Sequence, residues 1–272
     1  LKADNIQVVS ADSRVYIEQL SPVDVFYLDP ARRGEGNKRV FALSDCEPDL
    51  TQLLPRLLLK AKRVIVKISP MADIRQTMAL LPGVLSVHVL SVKNECKELL
   101  FVIGREPVES PEIHCVNYKA ADSSPQFFSF KMGDERDAAA NYSSTVKKYL
   151  YEPNASILKA GAFKSVSLRY AMAKMHPNSH LYTSDVFVEN FPGRIFEVEE
   201  VMPFSSKLAK TLVQSIPRAN ITVRNFPLSV EELRKKSKVK DGGDVYLFAT
   251  VISANDKVLL RCRKAYFTGT KE

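Results

Sequence analysis

The stretch Val23-Asp24-Val25-Phe26-Tyr27-Leu28-Asp29-Pro30-Ala31-Arg32-Arg33-Gly34 constrains the fold most, because an apolar run ends there in Asp-Pro, two arginines and a glycine. A run of this kind bounded by turn residues predicts a strand buried on both faces, as in a parallel sheet covered by helices. Pro30 removes a backbone donor and ends the strand, Asp29 presents a carboxylate at its tip, and Gly34 frees the following loop. Open α/β sheets bind ligands beyond the carboxyl ends of their strands. Asp29 and Pro30 are therefore candidate catalytic residues by position.

The neighbouring pattern agrees with an α/β domain. Ile6-Gln7-Val8-Val9 predicts a strand, and Asp12 or Ser13 caps a helix over 14–20. After a polar loop, Asp49 caps a leucine-rich helix over 50–61, a strand over 63–68 follows, and a helix over 71–81 is broken by Pro82-Gly83. Two strands, 84–92 and 98–103, then pair around Lys93–Lys97. Strands alternating with helices and closed by a hairpin form the second half of such a domain, assigned to residues 1–106. Lys67, at the tip of the second strand, is placed to line the same cleft as Asp29.

Two smaller α+β modules are expected to follow. Residues 107–194 read as a connector with strands near 113–118 and 127–131, then a module with a helix running from its cap at Asn154 to Met175. Residues 195–272 read as a strand, a helix from Ser205 or Ser206, a strand over 219–225, a lysine-rich helix capped at Ser229, and a closing hairpin.

Charge sorts these segments by role. Residues 205–272 hold 14 Lys and Arg against six Asp and Glu, which is the whole net charge of +8, and the rest of the chain balances at 25 of each. A basic domain on a neutral body is the electrostatic footprint of a polyanion, most often nucleic acid. Lys235, Lys236 and Lys238 are its densest cluster. Arg32 and Arg33 can also grip phosphate in bidentate fashion. Cys46, Cys96, Cys115 and Cys262 lack Cys-x-x-Cys spacing and the four histidines lack ligand spacing, so no metal site is expected. No apolar run approaches the roughly 20 residues that span a bilayer, and a cytoplasmic location is expected.

Ser10-Ala11-Asp12 after the first strand, Asp29–Gly34 after the next, and the hairpin with Lys93-Asn94-Glu95-Cys96-Lys97-Glu98-Leu99 resemble the later half of a class I S-adenosylmethionine-dependent methyltransferase. Met202-Pro203-Phe204-Ser205-Ser206-Lys207-Leu208-Ala209-Lys210 resembles the THUMP-like domain appended to a bacterial group of these proteins, after a small ferredoxin-like module. The resemblance implies an α/β fold with a partial Rossmann-like sheet and two α+β modules. It implies S-adenosylmethionine as cofactor, with Asp12 on its adenine, and Asp29-Pro30 accepting hydrogen bonds from a nucleic-acid acceptor group, RNA in particular. The alternative is an RNA-binding protein with a relic methyltransferase domain.

The departures from the pattern narrow the chemistry. Ala31 stands where base amino-methyltransferases have a second proline and Arg32 where they have an aromatic, so the platform for a flipped base is missing. RNA uridine C5-methyltransferases share the Arg-x-Gly ending but carry a nucleophilic cysteine after the following strand, where this chain has Lys67-Ile68-Ser69-Pro70. No glycine-rich cofactor loop and no ribose-binding acid precede the first strand. This chain by itself is therefore expected to bind the cofactor weakly or not at all, and to be inactive alone.

Overall fold

The computed structural model describes residues 4–32, 46–119, 124–252 and 256–266. Helix α1 (Ser13–Gln19) is capped by Asp12 and leads to strand β1 (Val23–Leu28). Strands β2 (Ala31–Arg32) and β3 (Cys46–Glu47) pair with each other beyond its tip. Helix α2 (Leu50–Lys60) buries Leu50, Leu53, Leu54 and Leu57, the spacing of one helical face. Strand β4 (Ala61–Ile68), helix α3 (Ile74–Leu80) and the hairpin β5 (Val84–Val92) and β6 (Glu95–Gly104) follow.

These strands join β7 (Glu112–Tyr118) and β8 (Gln126–Lys131) in a six-stranded sheet of order β1-β4-β6-β5-β7-β8. β1 runs parallel to β4, and β6 is inserted antiparallel between β4 and β5. The fold class is thus α/β with a Rossmann-like sheet, and the strands expected in the connector extend that sheet.

Two expectations at the start of the chain fail. Residues 6–9 form no strand, and Ile6, Val8 and Val9 are exposed. β1 is not covered on both faces either: Val23, Val25 and Tyr27 are exposed. A strand needs a neighbour to satisfy its backbone, and among the described residues β1 pairs only with β4.

The rest of the chain builds around a second sheet. Helix α4 (Met132–Asp137) follows β8 in the expected connector, and its buried Glu135 accepts hydrogen bonds from the amides of Lys164 and Ser165. Strand β9 (Tyr149–Pro153) precedes helices α5 (Ala155–Ala160) and α6 (Phe163–Arg169), which replace the single long helix expected over 154–175. Gly161, at φ +77°, ends the first of them. Strands β10 (Ala173–Lys174), β11 (Tyr182–Ser184) and β12 (Gly193–Pro203) follow. Helix α7 (Ser206–Ser215), strand β13 (Asn220–Arg224), helix α8 (Val230–Ser237), and strands β14 (Tyr246–Val251) and β15 (Lys257–Lys264) complete the chain.

The second sheet has the order β10-β11-β9-β12-β15-β14-β13. β12 binds both halves of it, pairing β9 through residues 193–197 and β15 through 196–203, with a bulge between Val198 and Glu200. Three strands separate β9 from β13, so a flat sheet would hold them about 19 Å apart. Yet Arg224 on β13 donates to Glu152 on β9 at 2.8 Å. The sheet therefore curves enough for these side chains to meet, and Leu150, Phe196, Phe248, Leu260 and Cys262 share one core. Glu152 is 1% exposed and also accepts from Arg194 Nε at 2.7 Å.

A polar network ties the two sheets together. Asn117 accepts from Ser91 Oγ at 2.8 Å and donates to Gln126, which also accepts from Asn154, the cap of α5. The hairpin-turn residue Asn94, at φ +62°, accepts from the amide of Ala155 at 2.8 Å. Tyr151, Ile157, Val166 and Phe191 share one hydrophobic core with Val89, Phe101 and Phe128 of the first sheet.

Glu152→Gln keeps the shape of the closure but strands two guanidiniums without their counter-charge, and is expected to cost about 3 kcal/mol in denaturant unfolding. A second test uses His180, which stacks on Phe163 at 3.5 Å between ring centres. Burial, then the charges of Lys174 and Arg224, push its pKa from 6.5 down to about 4. A base so depressed stays neutral in the folded state while the unfolded chain binds the proton. Stability from this group is thus complete above pH 6.5 and is lost as pH falls from 6.5 toward 4. His180→Asn, which suits the positive φ of this position, should flatten the melting-temperature profile across that window.

Candidate functional site

Because β1 and β4 are parallel with Leu28 opposite Val66, the next residues, Asp29 and Lys67, emerge side by side at the carboxyl tips. Lys67 Nζ forms an ion pair with Asp29 Oδ2. The hydrogen bond to Asp29 holds the ammonium pKa above its ordinary value. The strand tip thus presents a carboxylate already in contact with a cation, both partly open to solvent. Of the two expected phosphate-gripping residues, Arg32 lies on β2, where its backbone pairs with Cys46, and Arg33 lies outside the described residues.

Asp12 is engaged as well. Its Oδ1 caps α1 by accepting from the amide of Arg14 at 2.9 Å, and Arg14 Nε and Nη2 contact both carboxylate oxygens. These hydrogen bonds from Arg14 hold its pKa down to about 2. Both oxygens of the expected adenine acceptor therefore already face a guanidinium.

A 320 Å³ cavity lined by Pro22, Asp24, Lys60 and Arg105 lies at the opposite end of β1 and β4 from Asp29. There Lys60 Nζ donates to the carbonyls of Ile17, Glu18 and Leu20, and Arg105 to those of Leu58 and Leu59. These are helix-end contacts. Burial raises the thiol pKa of Cys96, Cys115 and Cys262, the reverse of what a nucleophile needs. Among the described residues, no group of three or more His, Cys, Asp or Glu is placed to hold a metal, and no helix is long and apolar enough to cross a membrane.

The basic module separates neutralised from free charge. On its strands, Arg263 pairs with Glu197 at 2.8 Å and Arg261 with Glu199 at 3.1 Å. α7 and α8 bury Leu212 and Leu233 against the sheet, so Lys207, Lys210, Lys235, Lys236 and Lys238 are exposed. A capping box at Ser229 and Glu232 opens α8, and its basic residues fall in the last turn, where they complement the helix dipole. Lys174, which the sequence pattern did not single out, is 2% exposed in the other module. Burial, which Glu135 only partly offsets, lowers its pKa to about 8.

Comparison with known proteins adds two domain matches and one structure. Residues 149–192 match a ferredoxin-like domain family, and residues 193–264 match a family described as THUMP domain-like. A crystal structure of a "putative methyltransferase from Porphyromonas gingivalis W83" aligns with a TM-score of 0.83 at 44% identity, covering 89% of this chain and 60% of that one. The chain thus spans about 60% of the length of the solved protein it matches. No curated protein matches it.

Exposed ion pairs contribute little to stability. Asp29→Ala is accordingly expected to leave the melting temperature within about 2 °C of the parent, so a functional defect in this variant would report on chemistry at the tip rather than on unfolding.

Proposed function

We propose that this chain supplies the strand-tip edge and the substrate-binding module of an S-adenosylmethionine-dependent nucleic-acid methyltransferase acting in the cytoplasm, with RNA as the favoured substrate. One observation carries the reading: a THUMP domain-like module with 14 Lys and Arg against eight Asp and Glu shares a sheet with the ferredoxin-like segment, whose core is continuous with a sheet like that of a methyltransferase structure.

In this reading Asp29 and the Pro30 carbonyl orient the acceptor group, and Lys67 sets the orientation of Asp29. Arg32 and Arg33 follow the tip in sequence and hold the substrate backbone. Lys235, Lys236 and Lys238 supply phosphate contacts at the far module. The residues described here do not by themselves fit S-adenosylmethionine. Asp12 is the one adenine acceptor the sequence offers, both its oxygens face Arg14, and the open edge of β1 leaves Val23, Val25 and Tyr27 exposed.

A second reading, an RNA-binding protein with a relic methyltransferase domain, is favoured by the contact of Lys67 with Asp29 and by Ala31 beside it. Two measurements separate them. Calorimetry of this chain is expected to show no micromolar binding of S-adenosylmethionine, and saturable micromolar binding would overturn the fit argument. In a protein carrying this sequence over the full span of the solved relative, labelled methyl transfer to RNA is expected, with Asp29→Ala reducing it at least about a hundredfold. RNA binding without any transfer would establish the second reading.

A further inference from the structure

We propose that the turn from Lys238 to Gly243, with Arg218 beside it, is a preformed clamp for backbone phosphates of a nucleic-acid duplex; this rests on the reading of the basic module as substrate-binding.

Three features converge at the end of α8. The first is unspent charge. Arg218 and Lys240 are neighbours in an isolated β-bridge, and Lys238 lies just before Lys240 at the helix end. All three are exposed, and among the described residues none has an ion pair or side-chain hydrogen bond. The adjacent Arg234 is instead consumed structurally, pairing with Asp241 and donating to the carbonyls of Val239 and Ala219 at 3.3 Å.

The second feature is an exposed backbone. Gly242 and Gly243 take φ +91° and +83°, and a side chain added at Gly242 would meet nothing within 4 Å. A ligand can therefore approach this main chain more closely than one covered by side chains. The turn is also pinned: Asn220 Nδ2 donates to the Gly243 carbonyl at 2.7 Å, Lys240 N to Pro217 at 3.0 Å, and Ala219 N to Lys240 at 3.0 Å. Cations on a fixed backbone lose less entropy on binding than cations on a loose loop.

The third is Lys238 itself, which sits at φ +59° as the cap of α8. Glycine is the residue that fits this conformation without strain, so a lysine there is held against local preference. The choice of a duplex follows from the turn itself, since neither Arg218 nor the stretch from Lys238 to Gly243 includes an aromatic residue. Single-strand binders interleave cations with aromatic stacking platforms, but Phe204 and Phe226 pair with each other at 4.9 Å and pack on the module core. Backbone-directed contact suits a helical duplex recognised by shape.

The test is fluorescence anisotropy of this chain with a mixed-sequence RNA duplex of about 20 base pairs, across roughly 50 to 200 mM salt. Arg218→Ala with Lys240→Ala should lower affinity about tenfold or more and reduce the slope of log K against log salt by about two. Lys238→Gly should reduce the slope by about one while leaving the melting temperature equal or higher, which excludes misfolding as the cause. Lys131→Ala, an exposed cation on the first sheet, should change neither. Tighter binding to a single strand of the same length, a loss in Lys131→Ala equal to that of the double variant, or an unchanged slope in the double variant would each overturn the clamp while leaving the module a nucleic-acid binder. Absence of RNA binding by the unmodified chain would overturn both.

Discussion

Glu152 is the residue on which the second half of the molecule closes. A carboxylate 1% exposed is expensive unless its charge is answered, and here Arg194 from the neighbouring strand and Arg224 from the far edge of the sheet answer it. The geometry matters more than the energy. The side chains of β9 and β13 can meet only if the sheet between them curves, and β12 carries a bulge of the kind that bends a strand. The ferredoxin-like and THUMP domain-like segments are therefore parts of one coiled sheet rather than modules on a linker.

That closure has consequences at both ends of the chain. Through Asn94, Asn117, Gln126 and Asn154, helix α5 is bonded to the hairpin end of the first sheet. Asn117 and Asn154 are buried in this seam, where an unmade hydrogen bond costs more than a made one gains. Such a network favours a single register between the sheets. The tip bearing Asp29 and the turn bearing Lys240 thus lie on two sheets joined by a shared core and this network. This is what a substrate bound at one and acted on at the other would require.

The sequence made the helices, the alternation of strands and the charge asymmetry legible, because each depends on residues close in the chain. Asp12, Asp49, Asn154, Ser205 and Ser229 all cap the helices that their residue types announce. Misread elements were those whose fate depends on distant partners. Val8 and Val25 have strand character, but pairing and burial are tertiary properties. The helix expected from Asn154 to Met175 breaks at Gly161, whose positive φ is a backbone property that helical spacing does not report. At the site, the nearness of Asp29 and Lys67 follows from parallel register, which the sequence implied. The nearness of Glu152 and Arg224, 72 residues apart, follows from sheet coiling, which no local pattern encodes.

The contact between Lys67 and Asp29 bears on the chemistry of the tip. A free carboxylate accepts hydrogen bonds strongly, but one in contact with an ammonium shares its lone pairs with that donor. A neutral amino group entering the site must compete with a charged donor for the same oxygens. An acceptor that carries or develops negative charge, such as a hydroxyl losing its proton, instead gains from a neighbouring cation. Ala31 in place of proline points the same way, since the tip lacks the framework that grips a planar amine. If the tip orients a methyl acceptor as proposed, the ion pair of Lys67 with Asp29 suits an acceptor that develops negative charge better than a neutral exocyclic amine.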